Sequence, residues 1–316
     1  MIGTDLAQAA ALLRQGKLVG IPTETVYGLA ANALDAQAIA SIYSVKNRPS
    51  FNPLIVHVPS LAAISMYAQH VPQALMDIAQ AFWPGAVSIL VEKSNQVPDV
   101  VTAGSDKVVL RMPKHSLALE LLQMLDFPLA APSANISNTV SPTTAQHVED
   151  GLGSQIPYIL DGGSCTVGVE STILGFENGK VVILREGGVS REDIFAKTGI
   201  ETTPSSEQTI QSPGQLKKHY STQKPLYIVE SINDHIAAHS DQSFSALLYE
   251  QREVDATTHL LSENYNLGEI ANNLFATMRA ADQDSTDAIL IEPIREVGIG
   301  RAVADRLRRA ASTFIS

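Results

Sequence analysis

Residues 17–59 read KLVGIPTETVYGLAANALDAQAIASIYSVKNRPSFNPLIVHVP, and this stretch decides the fold. The apolar run 17–21 ends at Pro22, residues 35–45 carry Ile39, Ile42 and Tyr43 on one helical face, and the run 54–58 stops at Pro59. A short apolar run closed by proline is a buried strand, and apolar residues three and four apart are a helix face. The alternation continues outward. Residues 4–15 predict a first helix capped by Thr4, and a helix around 72–82 leads to a strand at 86–91. Further strands follow at 108–112, 129–131, 158–160, 171–174 and 181–184, with a leucine-rich helix at 116–125. Strands alternating with helices define an α/β domain.

Past residue 199 the composition changes. Residues 199–225 are polar, rich in Ser, Thr, Gln and Pro, and read as a linker. A second small α/β unit follows, with strands at 226–229, 246–249 and 288–292. Leu267, Ile270, Ala271, Leu274, Phe275 and Met278 share one helix face. A last helix over 301–314 turns Val303, Leu307, Ala310 and Phe314 inward. Arg301, Arg306, Arg308 and Arg309 then form a solvated face, with Asp305 and Arg309 as a helical pair.

Composition narrows the function. The chain has 316 residues, 45% hydrophobic and 17% charged, enough apolar material for a real core. A net charge of −11 opposes broad binding to nucleic-acid phosphates, leaving room only for a local basic cleft. The single cysteine, Cys165, excludes an internal disulfide and a multi-cysteine zinc site, and fits a reducing compartment. No apolar run reaches the roughly 20 residues that span a bilayer, and the first residues read as an amphipathic helix, so a cytoplasmic location is expected.

Four segments place polar groups at strand ends, where open α/β sheets bind ligands. Pro22-Thr-Glu-Thr-Val-Tyr-Gly28 offers two hydroxyls and a carboxylate, which as a strand-to-helix turn need do no more than cap. Lys46-Asn-Arg48-Pro-Ser-Phe-Asn52-Pro joins two cations to a proline-stiffened path, a pattern suited to phosphates. Ser133 and Asn135 precede Ser141, which reads as a helix cap with Pro142 at the first helical position. Gly168-Val-Glu-Ser-Thr172 and Leu184-Arg-Glu-Gly-Gly188 complete the set. Arg111 and Arg185 leave apolar strands, so each needs a salt-bridge partner or an anionic ligand. With Lys46, Arg48 and Lys107 they suggest one positive cleft, worth on the order of 1.5–3 kcal/mol per charge-assisted contact. His57, inside a strand, reads as a satisfied core residue, and Cys165 has no histidine beside it. No phosphate-binding glycine loop, dinucleotide fingerprint or nucleophile elbow is present.

These segments resemble the YrdC/Sua-type threonylcarbamoyl-AMP synthase family in its long two-domain form. The matches are PTETVYGL at 22–29, Lys46-Asn-Arg48-Pro with Pro53-Leu54, PSAN at 132–135 with SPT at 141–143, and the GVEST and LREG pair. Ser212-Pro-Gly214 with His219-Tyr220, and the GIGRA and Asp305-Arg-Leu307 signature, extend it across nearly the whole chain. Ala86 and Ser88 stand where the family usually has Pro and Thr. The resemblance implies a twisted mixed β-sheet catalytic domain over 1–200 with a positive concave face. It further implies a small Rossmann-like α/β domain over 226–316; the linker over 201–225, long and polar yet carrying His219 and Tyr220, is expected to act as a lid. The implied reaction is L-threonine plus bicarbonate plus ATP giving threonylcarbamoyl-AMP and pyrophosphate, with a transferase complex then passing the group to tRNA. Thr25, His57, Arg111, Ala131 and Ser171 are implied around threonine. Lys46, Arg48, Asn52, Lys107, Ser133, Asn135, Ser141, Arg185 and Tyr220 are implied around ATP, with Lys46 and Arg48 as the catalytic cations. No carboxylate cluster is evident for a metal, so magnesium is expected to be held largely by phosphates and water. Two other classes stand beside this reading. One is an RNA-binding module using the concave basic face, disfavoured by the acidic total. The other is a carbamoyl-transferring maturation enzyme, whose cysteine-rich zinc modules a single cysteine excludes.

Overall fold

The structure, a computed structural model, describes residues 1–205 and 219–315. Two β-sheets organise it. The first is a twelve-stranded mixed sheet whose centre runs Val19–Ile21, Gly28–Asn32, Leu129–Ala130, Ile55–His57, Lys107–Arg111, Val87–Lys93, Thr172–Glu177 and Lys180–Arg185. The second has five strands, all parallel, in the order Thr257–Leu260, Phe244–Leu248, Ala288–Ile291, Leu226–Val229 and Thr313–Ile315. Both sheets are the expected α/β class.

Alternation along the strands separates the large sheet's two faces. Val108, Leu110, Ile89 and Val91 point into the main core, which the helices Ala36–Val45 and Gln73–Phe82 cover with Ile39, Ile42, Leu75 and Ile78. Val109, Leu90, Ile55 and Ile173 form a small apolar patch on the opposite face. Lys107 and Arg111 share Val109's parity and flank that patch. On the edge side, Ile173 pairs with Arg185 while Leu174 pairs with Ile183, so Leu184 is an extra residue. Such a bulge re-aims a side chain. It turns Arg185 from the core side of its strand to the face that carries Arg111.

Several local expectations are corrected. Asp5, not Thr4, caps the first helix, Leu6–Arg14, accepting from the Gln8 amide. Thr144, not Ser141, caps the helix Ala145–Leu152, and the Ser141 hydroxyl is used elsewhere. Thr202–Pro204, inside the expected linker, is an edge strand paired with Lys180–Arg185; an edge tolerates proline because its outer N–H side is free. The last helix is Gly300–Ala310, and Phe314 falls in the strand Thr313–Ile315. Ser212-Pro-Gly214 and most of the proposed lid lie outside the described residues.

The two sheets share a core. Val26, Val140 and Val169 pack with Ile270, Phe275 and Leu307 of the second unit. Arg301 pairs with Glu192 across the junction, and Asn272 Nδ2 donates to Thr166 O at 2.7 Å. Gly168 stands at the tightest point, at φ +79°, where an added Cβ would lie 2.3 Å from Asn272 O. Gly168→Ala is therefore expected to cost about 2–4 kcal/mol, from overpacking and left-handed strain together. Urea denaturation measures it, and an unchanged midpoint would mean the two units are not in close contact here.

Candidate active site

The site is assembled from strand ends. Ile55–His57 and Lys107–Arg111 run parallel in a register that sets His57 beside Arg111. Pro22–Gly28 loops over them, knitted to the PSAN turn by Leu29 N–H to Pro132 O at 2.7 Å and Ala134 N–H to Tyr27 O at 2.8 Å. Thr23 Oγ1 turns this loop by bonding Val26 O and Thr25 Oγ1, a local hydroxyl turn rather than a helix start.

Arg111 is buried and committed. Its Nη1 donates to Thr25 Oγ1 at 2.9 Å, and its Nη2 stands 2.7 Å from Glu24 Oε1. Arg185 donates from Nε and Nη2 to Ser171 O, and from Nη2 to Ser171 Oγ at 3.1 Å; Ser171 Oγ in turn lies 2.7 Å from Ser88 Oγ. Arg48 holds the backbone of its own loop through Asn52 O and Pro53 O. Burial lowers Arg48 and Arg185 to about 10, which leaves both charged at neutral pH. The three arginines surround one cavity of about 50 Å³.

Eight residues singled out in the sequence line that cavity: Thr25, Arg48, His57, Arg111, Ala131, Ser133, Arg185 and Tyr220. Five stand one contact behind it. Lys46 donates from Nζ to Ser133 O and Asn135 O, so it braces the PSAN turn. Asn52 braces Arg48, and Ser171 braces Arg185. The Ser141 hydroxyl donates to Glu170 Oε1 at 2.8 Å, and Glu170 is itself in the lining. Lys107 is apart, at the far end of Arg111's strand, beside a second hollow of about 180 Å³ that includes Leu90 and Leu184.

His57 leaves the core reading and lines the cavity, yet it is uncharged. Burial, then Arg111, lowers it to about 3, and its Nδ1 is buried with no partner. Asn52 Oδ1, Asn135 Oδ1 and His219 Nδ1 are orphaned in the same way. Unpaired buried polar atoms are rare in native proteins, and two of these, His57 Nδ1 and His219 Nδ1, belong to residues that line the cavity. Burial also lowers His219 to about 4, against the opposing charge of Glu170. Cys165 is pushed up to about 12 by burial and by Glu24, and is no nucleophile. Folding thus keeps His57 and His219 neutral, while the unfolded chain protonates them near pH 6.5. Their contribution to stability is present above that pH and lost as pH falls toward 4. The unfolding free energy from urea titration is expected to fall from pH 6.5 to 4.5 by at most about 1.4 kcal/mol per pH unit per histidine. A flat profile there would contradict neutral histidines.

Arg306 was missed. Expected on a solvated face, it is 0% exposed. It donates from Nε to Glu170 Oε2 at 3.1 Å and from Nη1 to Glu186 O at 2.6 Å, and its guanidinium lies 5.8 Å from the Tyr220 ring centre. Burial would raise the Glu170 carboxyl, but Arg306 and Arg185 together hold it at about 2. The second unit thereby reaches into the wall of the cavity built by the first. Asp305 and Arg309 form the expected helical pair, and Arg301 and Arg308 pair outward with Glu192 and Glu296.

Arginines converging at the strand ends of a mixed α/β sheet, under a second α/β unit that helps to close them in, define an α/β enzyme with a buried, arginine-lined cavity. Residues 11–187 match the Sua5/yciO/yrdC family model, described as telomere recombination, and residues 189–312 match the threonylcarbamoyl-AMP synthase C-terminal domain. The threonylcarbamoyl-AMP synthase of Pyrococcus abyssi is 39% identical over 96% of this chain and 93% of its own length, and that of Bacillus subtilis is 38% identical over 97% and 93%. The crystal structure of P. abyssi Sua5 complexed with L-threonine is similar at a TM-score of 0.91, with 38% identity, covering 98% of this chain and 96% of that one. The chain belongs to the threonylcarbamoyl-AMP synthase family.

Proposed function

We propose that this protein joins L-threonine, bicarbonate and ATP into threonylcarbamoyl-AMP, releasing pyrophosphate and water, as a nucleotidyltransferase serving tRNA modification. The observation that carries the reading is the convergence of Arg48, Arg111 and Arg185 on one cavity. The threonine amine and bicarbonate form a carbamate with loss of water. A carbamate oxygen then attacks the α-phosphorus, and the bond to pyrophosphate breaks. Such transfer needs alignment and charge neutralisation more than a protein nucleophile.

Thr25, His57, Arg111, Ala131 and Ser171 belong to the threonine end in this reading. Neutral His57 offers a hydrogen bond without a competing charge. Arg48 and Arg185 neutralise the phosphates, while Lys46, Asn52, Asn135 and Ser141 hold the loops that present Ser133, Arg48 and Glu170. Lys107 shares a sheet face with Arg111, about 13 Å along the strand at 3.3 Å per residue. A nucleotide extended over Val109 and Leu90 would reach it, which supports its place at the ATP end. Magnesium enters as the counterion of ATP. Among the described residues no group of three carboxylate, histidine or cysteine side chains could hold an ion, and Glu24 and Glu170 are engaged by arginines.

A cavity of about 50 Å³ is far below the roughly 300 Å³ of small-molecule sites, so substrates require it to open. His219 and Tyr220 form part of its lining. Tyr220 has φ +62°, a strained backbone for a non-glycine residue, held by its ring stacked on Phe275 at 5.2 Å. We read these two residues as the moving part of a lid. The RNA-binding alternative fares worse, because Arg111 and Arg185 are 4% and 8% exposed and cannot meet a polymer's phosphates. Among the described residues no helix is long and apolar enough to cross a membrane. A cytoplasmic location, with the product passed to a separate transferase complex, belongs to the same reading.

Incubation with ATP, labelled bicarbonate and either threonine, serine or no amino acid tests the reading. Pyrophosphate release and label in an adenylate are expected only with threonine. Release that ignores the amino acid would overturn the substrate assignment.

A further inference from the structure

The second sheet has a cavity of its own, and the topology explains why it is there. The strand Leu226–Val229 leads through the helix Ile232–Ala238, which packs Ile232 on the face carrying Val229, Ala246 and Leu290. Its hydrogen-bonded neighbour Ala288–Ile291 leads through the helix Gly300–Ala310, which packs Val303 and Leu307 on the face carrying Ile228, Ile289 and Ile291. Adjacent parallel strands that send the chain to opposite faces form a topological switch point. Open α/β sheets bind ligands in the crevice at that point, beyond the strands' carboxyl ends. A cavity of about 330 Å³ lies there, within the roughly 300–1,000 Å³ of small-molecule sites.

Its walls choose the ligand's chemistry. Ile228, Ile294, Ala304 and Leu307 supply an apolar lining. Glu230, Glu292 and Glu296 contribute three carboxylates against the one guanidinium of Arg308. Glu296 is engaged by Arg308 at 2.5 Å, and Glu292 by Arg252 at 2.7 Å and by the Ile232 N–H at 3.0 Å. Glu230, at the end of the first strand, is exposed and has no ion pair among the described residues. The devices that hold phosphate at such crevices are taken. Ser231 caps the following helix, Asp234 occupies its first turn, and Glu292 accepts from its first amide. With Glu296 paired to Arg308 and Glu292 to Arg252, an anion would find both cations engaged and Glu230 facing it.

We propose that this crevice is a second ligand site, separate from the arginine cavity, that takes a small organic cation with an aliphatic body. The apolar lining buries the body, and Glu230 meets the cationic head. The experiment uses the full chain, labelled for amide NMR, and three probes that each carry one butyl chain: n-butylammonium, 1-butanol and pentanoate. Butylammonium is expected to shift the amides of residues 228–230, 292–296 and 304–308 saturably. It should bind about fivefold tighter than 1-butanol, the scale of one exposed ion pair, with pentanoate the weakest. Glu230→Gln lies on the surface and outside the catalytic machinery, so threonine-dependent pyrophosphate release should be unchanged while the preference for the cation disappears. Ala304→Phe should fill the cavity and abolish binding of butylammonium and 1-butanol alike. Equal binding of alcohol and ammonium, tighter binding of pentanoate, shifts confined to other residues, or a preference that survives Glu230→Gln would each overturn the proposal.

Discussion

Arg306→Met is expected to destabilise the protein by about 3–5 kcal/mol, the usual consequence of leaving one member of a buried ion pair alone. The partner left behind is Glu170, buried and bonded on its other oxygen to Ser141. The effect is distinguishable from lost packing by a cycle with Glu170→Gln. If the charge pair is the cause, the double variant costs less than the two single variants together, by about 0.5–3 kcal/mol. The pH dependence gives a second check. Glu170 is depressed in the fold, so its contribution is present above the ordinary carboxylate value near 4.5 and lost as pH falls toward 2. Without Arg306 that contribution shrinks, so the gap between wild type and variant should narrow below pH 4.5. Strict additivity in urea denaturation, with a gap independent of pH, would reduce Arg306 to ordinary packing. Activity should fall with stability, because Glu170 and Tyr220 line the cavity and Arg306 touches both.

Arg306 also shows how much was readable in the chain. Val303, Leu307 and Ala310 reveal the buried face of the last helix, and residue 306 lies three from Val303 and beside Leu307 on that same face. The position was legible; the residue type argued for solvent. A buried arginine becomes sensible only once Glu170, 136 residues away, is seen opposite it. The strand Gly28–Asn32 escaped for the converse reason. Its sequence, GLAAN, consists largely of residues depleted in strands, and pairing with Val19–Ile21 and Leu129–Ala130 overrides that preference. The bulge at Leu184 left no trace in the alternation of apolar residues, so Arg185 could be placed at a strand end but not on a face. What the chain did reveal was the set of polar motifs at strand ends, because strands read from apolar runs and ligands gather beyond them. Most of those side chains meet at one cavity or brace it, which local pattern alone cannot establish.

Arg48→Ala is expected to lower kcat/KM for ATP by roughly 100- to 1,000-fold, the scale of removing one preorganised charge from a developing transition state. Arg48 is the free-standing member of the trio: Arg111 is tied to Glu24 and Arg185 to Ser171, whereas Arg48 bonds only the carbonyls of Asn52 and Pro53 among the contacts observed. Losing those two bonds costs about 1–3 kcal/mol of loop stability, so a urea midpoint must accompany the kinetics. Arg48→Lys separates the causes. Lysine keeps the charge but not the two-pronged fork, so it should recover part of the rate while restoring little of the loop anchoring. Threonine affinity, measured by calorimetry without ATP, should be unchanged in both variants, since Arg48 belongs to the phosphate end of the proposed site. A variant within tenfold of wild type, or one whose threonine binding fails along with its ATP kinetics, would mean that Arg48 shapes the cavity and does not neutralise the phosphates.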